Sequence, residues 1–174
     1  MKLLGAILAG GASRRFGRDK ALALIDGRPM LAHVAERLGV QCDALVVIGR
    51  DWPKLERVDD LPVPGLGPLG GLAGALAYAE RNGFDAVLTS GCDLPRLPAD
   101  LRDRLGKPNA LVRGQPTIGL WKAGLATKLT DYLEIATDRS VRAWALTVDA
   151  RWVAIEEAIP NINTPADLAA FRPS

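Results

Sequence analysis

Short apolar runs alternate with helical patterns along the first two thirds of the chain. Each run is bounded by Gly, Asp or Pro, and the runs predict strands at Leu3–Leu8, Ala44–Ile48, Ala86–Ser90 and Asn109–Val112. Two helical patterns lie between them, Pro29–Leu38 and Gly70–Asn82, and each is followed by a glycine. Because continuous apolar strands that alternate with helices are typical of parallel sheets covered on both faces, we predict an α/β fold with a mostly parallel sheet.

The pattern changes after Pro116. A strand is predicted over Thr117–Leu120, a helix over Leu125–Ala136, and a shorter helix after Ser140. A last helix is indicated by an N-cap at Thr164, followed by proline and an acidic third residue. We find no linker-like stretch and therefore expect one domain over residues 1–174.

Composition narrows the class of protein. Hydrophobic residues make up 48% and charged residues 24%, and the net charge of +2 provides no general basic field for binding nucleic acid. No apolar stretch approaches the roughly 20 residues needed to cross a bilayer, so we expect no membrane association. Cys42 and Cys92 are too few for a disulfide framework, which favours reduced thiols in the cytoplasm.

Glycines and cations follow the first predicted strand, at the edge where open α/β sheets bind ligands. Gly10 and Gly11 allow the backbone to approach a ligand and to direct amides at an anion. Four cations follow within seven residues: Arg14, Arg15, Arg18 and Lys20. This density favours a loop that holds a nucleoside triphosphate over an ordinary glycine turn with solvated arginines. It is not a Walker A loop, because Arg18-Asp19 follows Gly17 in place of Lys-Ser/Thr.

A second glycine-rich segment satisfies the letters of the dinucleotide fingerprint. It reads Gly65-Leu66-Gly67-Pro68-Leu69-Gly70 and is preceded by Pro62 and Pro64. The fingerprint should directly follow a first strand and open a helix. The position of this segment therefore argues against an NAD-binding site.

Two acidic positions are candidates for the site. Asp93 follows the strand Ala86–Ser90, and a single carboxylate together with phosphate oxygens can hold Mg²⁺. The alternative is an Asp that caps the turn before a helix near Pro98. Asp60 precedes a glycine-rich loop that leads into a helix, and it is weaker evidence when taken alone.

The motifs together resemble the molybdenum cofactor guanylyltransferase family, also called molybdopterin-guanine dinucleotide synthase. Five segments carry the resemblance in order over nearly the whole chain: Leu8-Ala9-Gly10-Gly11 with Arg15, Gly17 and Asp19-Lys20-Ala21; Gly67-Pro68-Leu69-Gly70-Gly71; Cys92-Asp93-Leu94-Pro95; Pro116-Thr117-Ile118; and Asn161-Ile162-Asn163-Thr164-Pro165. The resemblance implies a three-layer Rossmann-like nucleotidyltransferase fold and the transfer of GMP from GTP to molybdopterin, with release of pyrophosphate.

The resemblance also implies roles for individual residues. Leu8, Ala9 and Gly10 would contact the nucleotide together with Gly11, and Asp60 would contribute to the same binding. Lys20 would bind the phosphates with help from Arg15, and Asp93 would hold Mg²⁺ and the triphosphate. Pro116 and Thr117, with Asn161 and Asn163, would lie toward the molybdopterin. Molybdoenzymes or proteins that deliver the cofactor to them are the protein partners that would follow.

Two features of the motifs qualify these expectations. The family often has Asn before the Arg that follows the second strand, whereas this chain has Gly49-Arg50, so one contact to the nucleotide would be missing. Related cytidylyltransferases carry Leu-Ala-Ala-Gly where this chain has Gly10, which favours guanine over cytosine. A cytidylyltransferase, a transferase acting on another phosphate acceptor, and a non-catalytic GTP-binding delivery module remain as alternatives.

Overall fold

The computed structural model describes residues 1–11, 16–17 and 19–171. The strands are β1 (Leu3–Leu8), β2 (Leu24–Ile25), β3 (Arg28–Pro29), β4 (Ala44–Ile48), β5 (Glu56–Val58), β6 (Ala86–Gly91), β7 (Ala110–Val112), β8 (Gln115–Lys122) and β9 (Arg151–Val153). The α-helices are α1 (Met30–Gly39), α2 (Gly67–Arg81), α3 (Leu101–Leu105), α4 (Ala126–Ile135), α5 (Val141–Thr147) and α6 (Pro165–Ala170). Short 3₁₀ turns cover Lys20–Leu22 and Ala123–Leu125.

Within the described ranges, seven strands form the main sheet in the order β5-β4-β1-β6-β8-β7-β9. Only β8 in this described sheet runs antiparallel to its neighbours, β6 and β7. The carboxyl ends of β4, β1 and β6 therefore meet at one edge, as the predicted α/β fold requires. The small hairpin of β2 and β3 stands apart from this sheet.

Helices cover both faces of the sheet. On β1, Leu3 and Ile7 pack on the face covered by α1 and α3, whereas Leu4 and Ala6 pack on the face covered by α2, α4 and α5. Successive side chains of a strand point to opposite faces, so a strand buried on both sides has to be apolar at nearly every position. The apolar sequence of β1 therefore fits a sheet that is covered by helices on both faces.

The longer predicted elements are confirmed, with ends that differ by a few residues. The helix predicted over Gly70–Asn82 begins earlier, at Gly67, because Pro68 fits the first turn of a helix. The predicted cap at Thr164 is in place and forms a capping box with Asp167; the short helix after Ser140 is also capped, since the Ser140 hydroxyl accepts from the amide of Ala143. No described helix has the length and apolar character required to span a bilayer.

The sequence patterns did not predict β5, β9 or the β2–β3 hairpin. Each of these strands has two or three residues and at least one exposed side chain. Strands so short show no clear period of two, and within the described residues β2 and β3 pair only with each other. β5 pairs with β4, and β9 pairs with β7.

Candidate active site

A cavity of about 420 Å³ opens at the carboxyl edge of the sheet. Leu8 and Ile48, the last residues of β1 and β4, line it on the apolar side. The predicted site residues that also line it are Gly10, Gly11, Lys20, Asp60, Asp93 and Thr117. The fold thus brings together residues that lie more than one hundred positions apart in the chain, at the edge where ligands were expected.

The loop after β1 presents its backbone to this cavity. The side chain of Ala9 is buried in the core beneath α1, and its amide donates to the carbonyl of Ile48 at 3.2 Å. Gly49 has φ of 78°, and a Cβ there would lie 2.8 Å from the Cα of Gly10. Glycine at position 49 therefore allows the loops after β1 and β4 to pack against each other. Any contact from position 9 to a ligand has to come from the main chain.

Lys20 and Asp93 form an ion pair inside the cavity. The Lys20 ammonium lies 2.7 Å from Oδ2 of Asp93, and both side chains are largely buried, with exposed fractions of 18% and 14%. The same ammonium donates to Oδ1 of Asn163 at 3.3 Å. One cation therefore contacts a residue that follows β6 and a residue on the predicted molybdopterin side.

The orientation of Asp93 depends on its neighbours. A Cβ at Gly91 would lie 2.5 Å from Oδ1 of Asp93 and 3.5 Å from the hydroxyl oxygen of Thr117. Only glycine at position 91 leaves space for the carboxylate to fold back over the end of β6. The main-chain oxygen of Asp93 accepts from the amide of Ile162 at 2.9 Å, which fixes the C-terminal segment beside the cavity.

Asp60 and the start of α2 also line the cavity. Oδ2 of Asp60 accepts from the amide of Gly65 at 3.3 Å. Gly65, Gly67, Pro68 and Gly71 line the cavity, so the N-terminal end of α2 faces it. The amides and dipole at a helix N-terminus favour an anion. The second glycine-rich segment is thus part of the site, although it is not a dinucleotide fingerprint.

Arg50 also lies in this region, although no sequence pattern indicated a role for it. Its guanidinium binds Asp19 at two points: Nη1 donates to Oδ1 at 2.8 Å, and Nη2 donates to Oδ2. This hydrogen bonding holds the pKa of Asp19 below its usual range and raises the pKa of Arg50. Sequence could not pair them, because they lie 31 positions apart.

Cys92 also lines the cavity, and its side chain is buried in the core. Burial raises the pKa of Cys92 to about 11, so the thiol stays protonated at neutral pH and is a poor nucleophile. Cys42, which follows α1 and packs beside Gly5 of β1, is a free thiol as well. Neither cysteine forms a disulfide, which agrees with the reduced thiols expected from the sequence.

Arg15 and Asn161 are the remaining predicted site residues. Arg15, proposed as the helper of Lys20, lies outside the described residues, as do Arg14 and Arg18. Asn161 is exposed, whereas its neighbour Ile162 is buried in a small cluster with Phe16 and Met30. Burial of Ile162 explains how the segment holds Asn163 at Lys20.

Comparison with known proteins identifies the family. A family model described as the MobA-like NTP transferase domain matches residues 5–148. A molybdenum cofactor guanylyltransferase of Cereibacter sphaeroides is 37% identical, over 97% of this chain and 95% of the relative. One from Yersinia pestis strain Pestoides F is 34% identical, over 95% of this chain and 92% of the relative.

Solved structures show the same fold. The molybdopterin-guanine dinucleotide biosynthesis protein A of Archaeoglobus fulgidus superposes with a TM-score of 0.74 at 21% identity, over 96% of this chain and 95% of that one. A 4-diphosphocytidyl-2C-methyl-D-erythritol synthase superposes with a TM-score of 0.67 at 17% identity, over 97% and 95%. The chain is therefore a nucleotidyltransferase of the MobA-like NTP transferase domain family, and within it belongs to the molybdenum cofactor guanylyltransferases.

Proposed function

We propose that this protein transfers GMP from GTP to molybdopterin in a Mg²⁺-dependent reaction that releases pyrophosphate. The observation that carries the proposal is the pairing of Lys20 with Asp93 at 2.7 Å, inside a cavity bordered by the loop after β1 and the start of α2. A phosphate-binding cation and a metal-binding carboxylate then stand beside backbone amides suited to an anion. The names of the curated relatives supply the nucleotide and the acceptor.

In the proposed reaction, an oxygen of the terminal phosphate of molybdopterin attacks the α-phosphorus of GTP. A new P–O bond forms, the bond between the α-phosphorus and the bridging oxygen to the β-phosphorus breaks, and pyrophosphate leaves with that oxygen. A phosphate monoester is already anionic near neutral pH, so no protein nucleophile is needed. The protein positions the two anions and stabilises the charge of the leaving group.

Lys20 would bind the β- and γ-phosphates, together with the amides of Gly10 and Gly11 and with Arg15. In this state its ammonium exchanges the carboxylate of Asp93 for phosphate oxygens. That exchange keeps a buried cation paired, which a low-dielectric cavity demands. Leu8 and the main chain of Ala9 would contact the nucleoside.

Asp93 is the residue that would hold Mg²⁺. Within the described ranges, no group of three or more His, Cys, Asp or Glu side chains comes together as a metal site. A single buried carboxylate beside a phosphate-binding loop fits Mg²⁺, which keeps several waters and takes substrate phosphates as ligands. When bound, the ion would supply Lewis-acid stabilisation of negative charge on the phosphates.

Asp60 and Gly10 are proposed to select guanine. Guanine presents two adjacent donors, at N1 and at the exocyclic amine, and a carboxylate can accept from both. Asp60 is a carboxylate that lines the cavity, and its Oδ2 accepts from the amide of Gly65, just before α2. A Cβ at Gly10 would meet only ordinary contacts in the protein, 3.7 Å from Cα of Gly49, so the absence of a methyl there serves the ligand.

We place the molybdopterin on the acceptor side, which we define as Thr117, Asn161 and Asn163. Thr117 lines the cavity next to Asp93, and Asn163 contacts Lys20. An acceptor bound there would approach the α-phosphate from the side opposite the start of α2. The reaction would take place within one domain in the cytoplasm, and its product would pass to molybdoenzymes or to their delivery proteins.

The test is to incubate the purified protein with Mg²⁺, molybdopterin and either GTP or CTP. We expect release of pyrophosphate and formation of the guanine dinucleotide, identified by mass spectrometry, with GTP strongly preferred. Omission of Mg²⁺ and the variant Asp93→Asn are the controls for metal-dependent transfer.

Other outcomes would identify the alternatives. Product from CTP alone would make the protein a cytidylyltransferase. Pyrophosphate release only with another phosphate acceptor would mean that the protein is a nucleotidyltransferase that acts on a different substrate. Calorimetry that detects GTP binding, without pyrophosphate release from any acceptor, would indicate a delivery module and overturn the proposal.

A further inference from the structure

The backbone from which Arg50 projects is firmly held. Arg50 follows β4, and the preceding amide of Gly49 donates to the carbonyl of Val58 at 2.8 Å, which joins the loop to β5. On the other side, Gly49 packs against Gly10. The backbone of Arg50 is therefore held in place beside the glycine-rich loop after β1.

The ion pair of Arg50 with Asp19 has the geometry of a structural contact. The guanidinium uses two nitrogens on the two carboxylate oxygens, and such a fork fixes direction as well as distance. The exposed fraction of the Arg50 side chain is 23% and that of Asp19 is 36%. Neither residue lines the cavity, so the contact acts from outside it.

Asp19 in turn holds the turn that carries Lys20. Its Oδ1 accepts from the amide of Ala21 at 3.1 Å and so caps the 3₁₀ turn Lys20–Leu22. Ala21 is buried against α1, but a three-residue 3₁₀ turn has little stability of its own. The direction of the Lys20 side chain therefore depends on what anchors Asp19.

We propose that Arg50 is a positioning residue that acts through Asp19, holding the turn so that the Lys20 ammonium reaches the triphosphate. This inference rests on the phosphate role that the proposed function gives to Lys20. Arg50 joins the loop after β4 to the segment after the glycine loop, and these two segments border the nucleotide. Arg50 is not a catalytic residue, because its guanidinium binds Asp19 outside the cavity.

The first measurement is calorimetric binding of GTP and of guanosine to Arg50→Met. The misplaced ammonium should weaken GTP binding about tenfold and leave guanosine binding within about twofold. Arg57→Met is the matched control, since Arg57 also pairs with a carboxylate, Asp59, but at the exposed edge strand β5. It should leave both affinities unchanged. Arg50→Lys keeps the charge without the fork and should recover part of the loss.

The decisive measurement is a double-mutant cycle with Lys20→Met. If Arg50 acts only through Lys20, Arg50→Met should add no further loss of GTP affinity in the Lys20→Met background. An additive loss would overturn the inference, since Arg50 would then contact the phosphates or stabilise the whole site. Equal losses for GTP and guanosine would overturn it as well.

The two proposals fail in different ways. If Lys20→Met itself weakens GTP and guanosine equally, the phosphate role of Lys20 is wrong. If Lys20→Met weakens GTP selectively and folded Arg50→Met does not, only the positioning role is wrong. Should Arg50→Met fail to fold, Asp19→Asn tests the same link, because the amide oxygen can still cap the turn while the ionic pairing is lost.

Discussion

The two sides of the cavity are built from different kinds of structure. The proposed nucleotide side, which consists of the loop after β1, Asp60 and the start of α2, is formed by the ends of parallel strands and by glycine-rich loops. On the proposed acceptor side, Thr117 belongs to antiparallel β8, and Asn161 and Asn163 belong to the segment 154–163, which contains neither helix nor strand. The nucleotide side relies on local motifs and backbone amides, whereas the acceptor side relies on contacts between distant segments.

Lys20 and Asp93 lie between the two sides and contact both. Asp93 follows β6, and its main-chain oxygen anchors the acceptor segment through Ile162. Lys20 belongs to the nucleotide segment, and its ammonium reaches Asn163. Substitutions of Lys20 or Asp93 should therefore impair the binding of both substrates, and substitutions on either side should impair the binding of one.

Asp93→Asn should have the largest effect. Loss of the proposed metal-binding carboxylate should lower the rate of pyrophosphate release by at least about 10³-fold, because metal stabilisation of phosphate charge is worth several kcal/mol. Asp59→Asn is the control, since that carboxylate lies at the end of β5 with an exposed fraction of 67%. Near-normal turnover in Asp93→Asn would remove Asp93 from the mechanism.

Lys20→Met should reduce kcat/KM for GTP about 10²-fold, the effect of losing one charged donor to a developing anion. Guanosine affinity should stay the same. Lys122→Met is a suitable control, because Lys122 is exposed and pairs with the start of β6, at the opposite edge of the sheet. Steady-state kinetics and calorimetry measure both quantities, and equal loss of GTP and guanosine would contradict the phosphate role.

Gly10→Ala addresses base selection on the nucleotide side. A methyl at this position has room in the protein, so the variant should fold with an unchanged melting temperature. It should reduce kcat/KM for GTP about tenfold and leave that for CTP unaffected, the scale of effect for one misplaced methyl in a pocket. Gly49→Ala differs, because its Cβ would strain the backbone itself. Unchanged GTP kinetics in Gly10→Ala would show that position 10 does not select the base.

The difference between the two sides also explains what sequence could predict. β1, β4, β6 and the loops after them were predictable, because buried parallel strands and glycine loops have strong local patterns. The acceptor side was harder to predict: β9 has three residues, and Gln115 holds the loop of Ile159 through a bond between residues 44 positions apart. Asn163 was identified only through the family resemblance, and nothing local indicated its contact with Lys20. The Arg50–Asp19 pair was missed for the same physical reason.

Asn161→Ala should affect the acceptor side alone. The exposed side chain contacts neither Lys20 nor Asp93 through any hydrogen bond in the described structure, so GTP affinity should not change. KM for molybdopterin should rise about fivefold, as expected for the loss of one hydrogen bond. Asn163→Ala should raise that KM and also weaken the binding of GTP, since Asn163 contacts Lys20. If the two variants behave alike, the contact of Asn163 with Lys20 does not link the two sides of the cavity.

The smallest effect concerns pH and the Arg50–Asp19 pair. The folded-state pKa of Asp19 is lowered, chiefly by its hydrogen bond from Arg50, so the pair stabilises the fold fully above the unfolded pKa of about 3.9. That contribution should disappear as pH falls through the folded-state pKa. Urea unfolding of the wild type and of Asp19→Asn should therefore differ by a constant small amount between about pH 5 and 8, and the difference should vanish in acid. Because the pair is partly exposed, salt should reduce the difference, and a difference that instead grew below pH 4 would mean that Asp19 is not stabilised as a carboxylate.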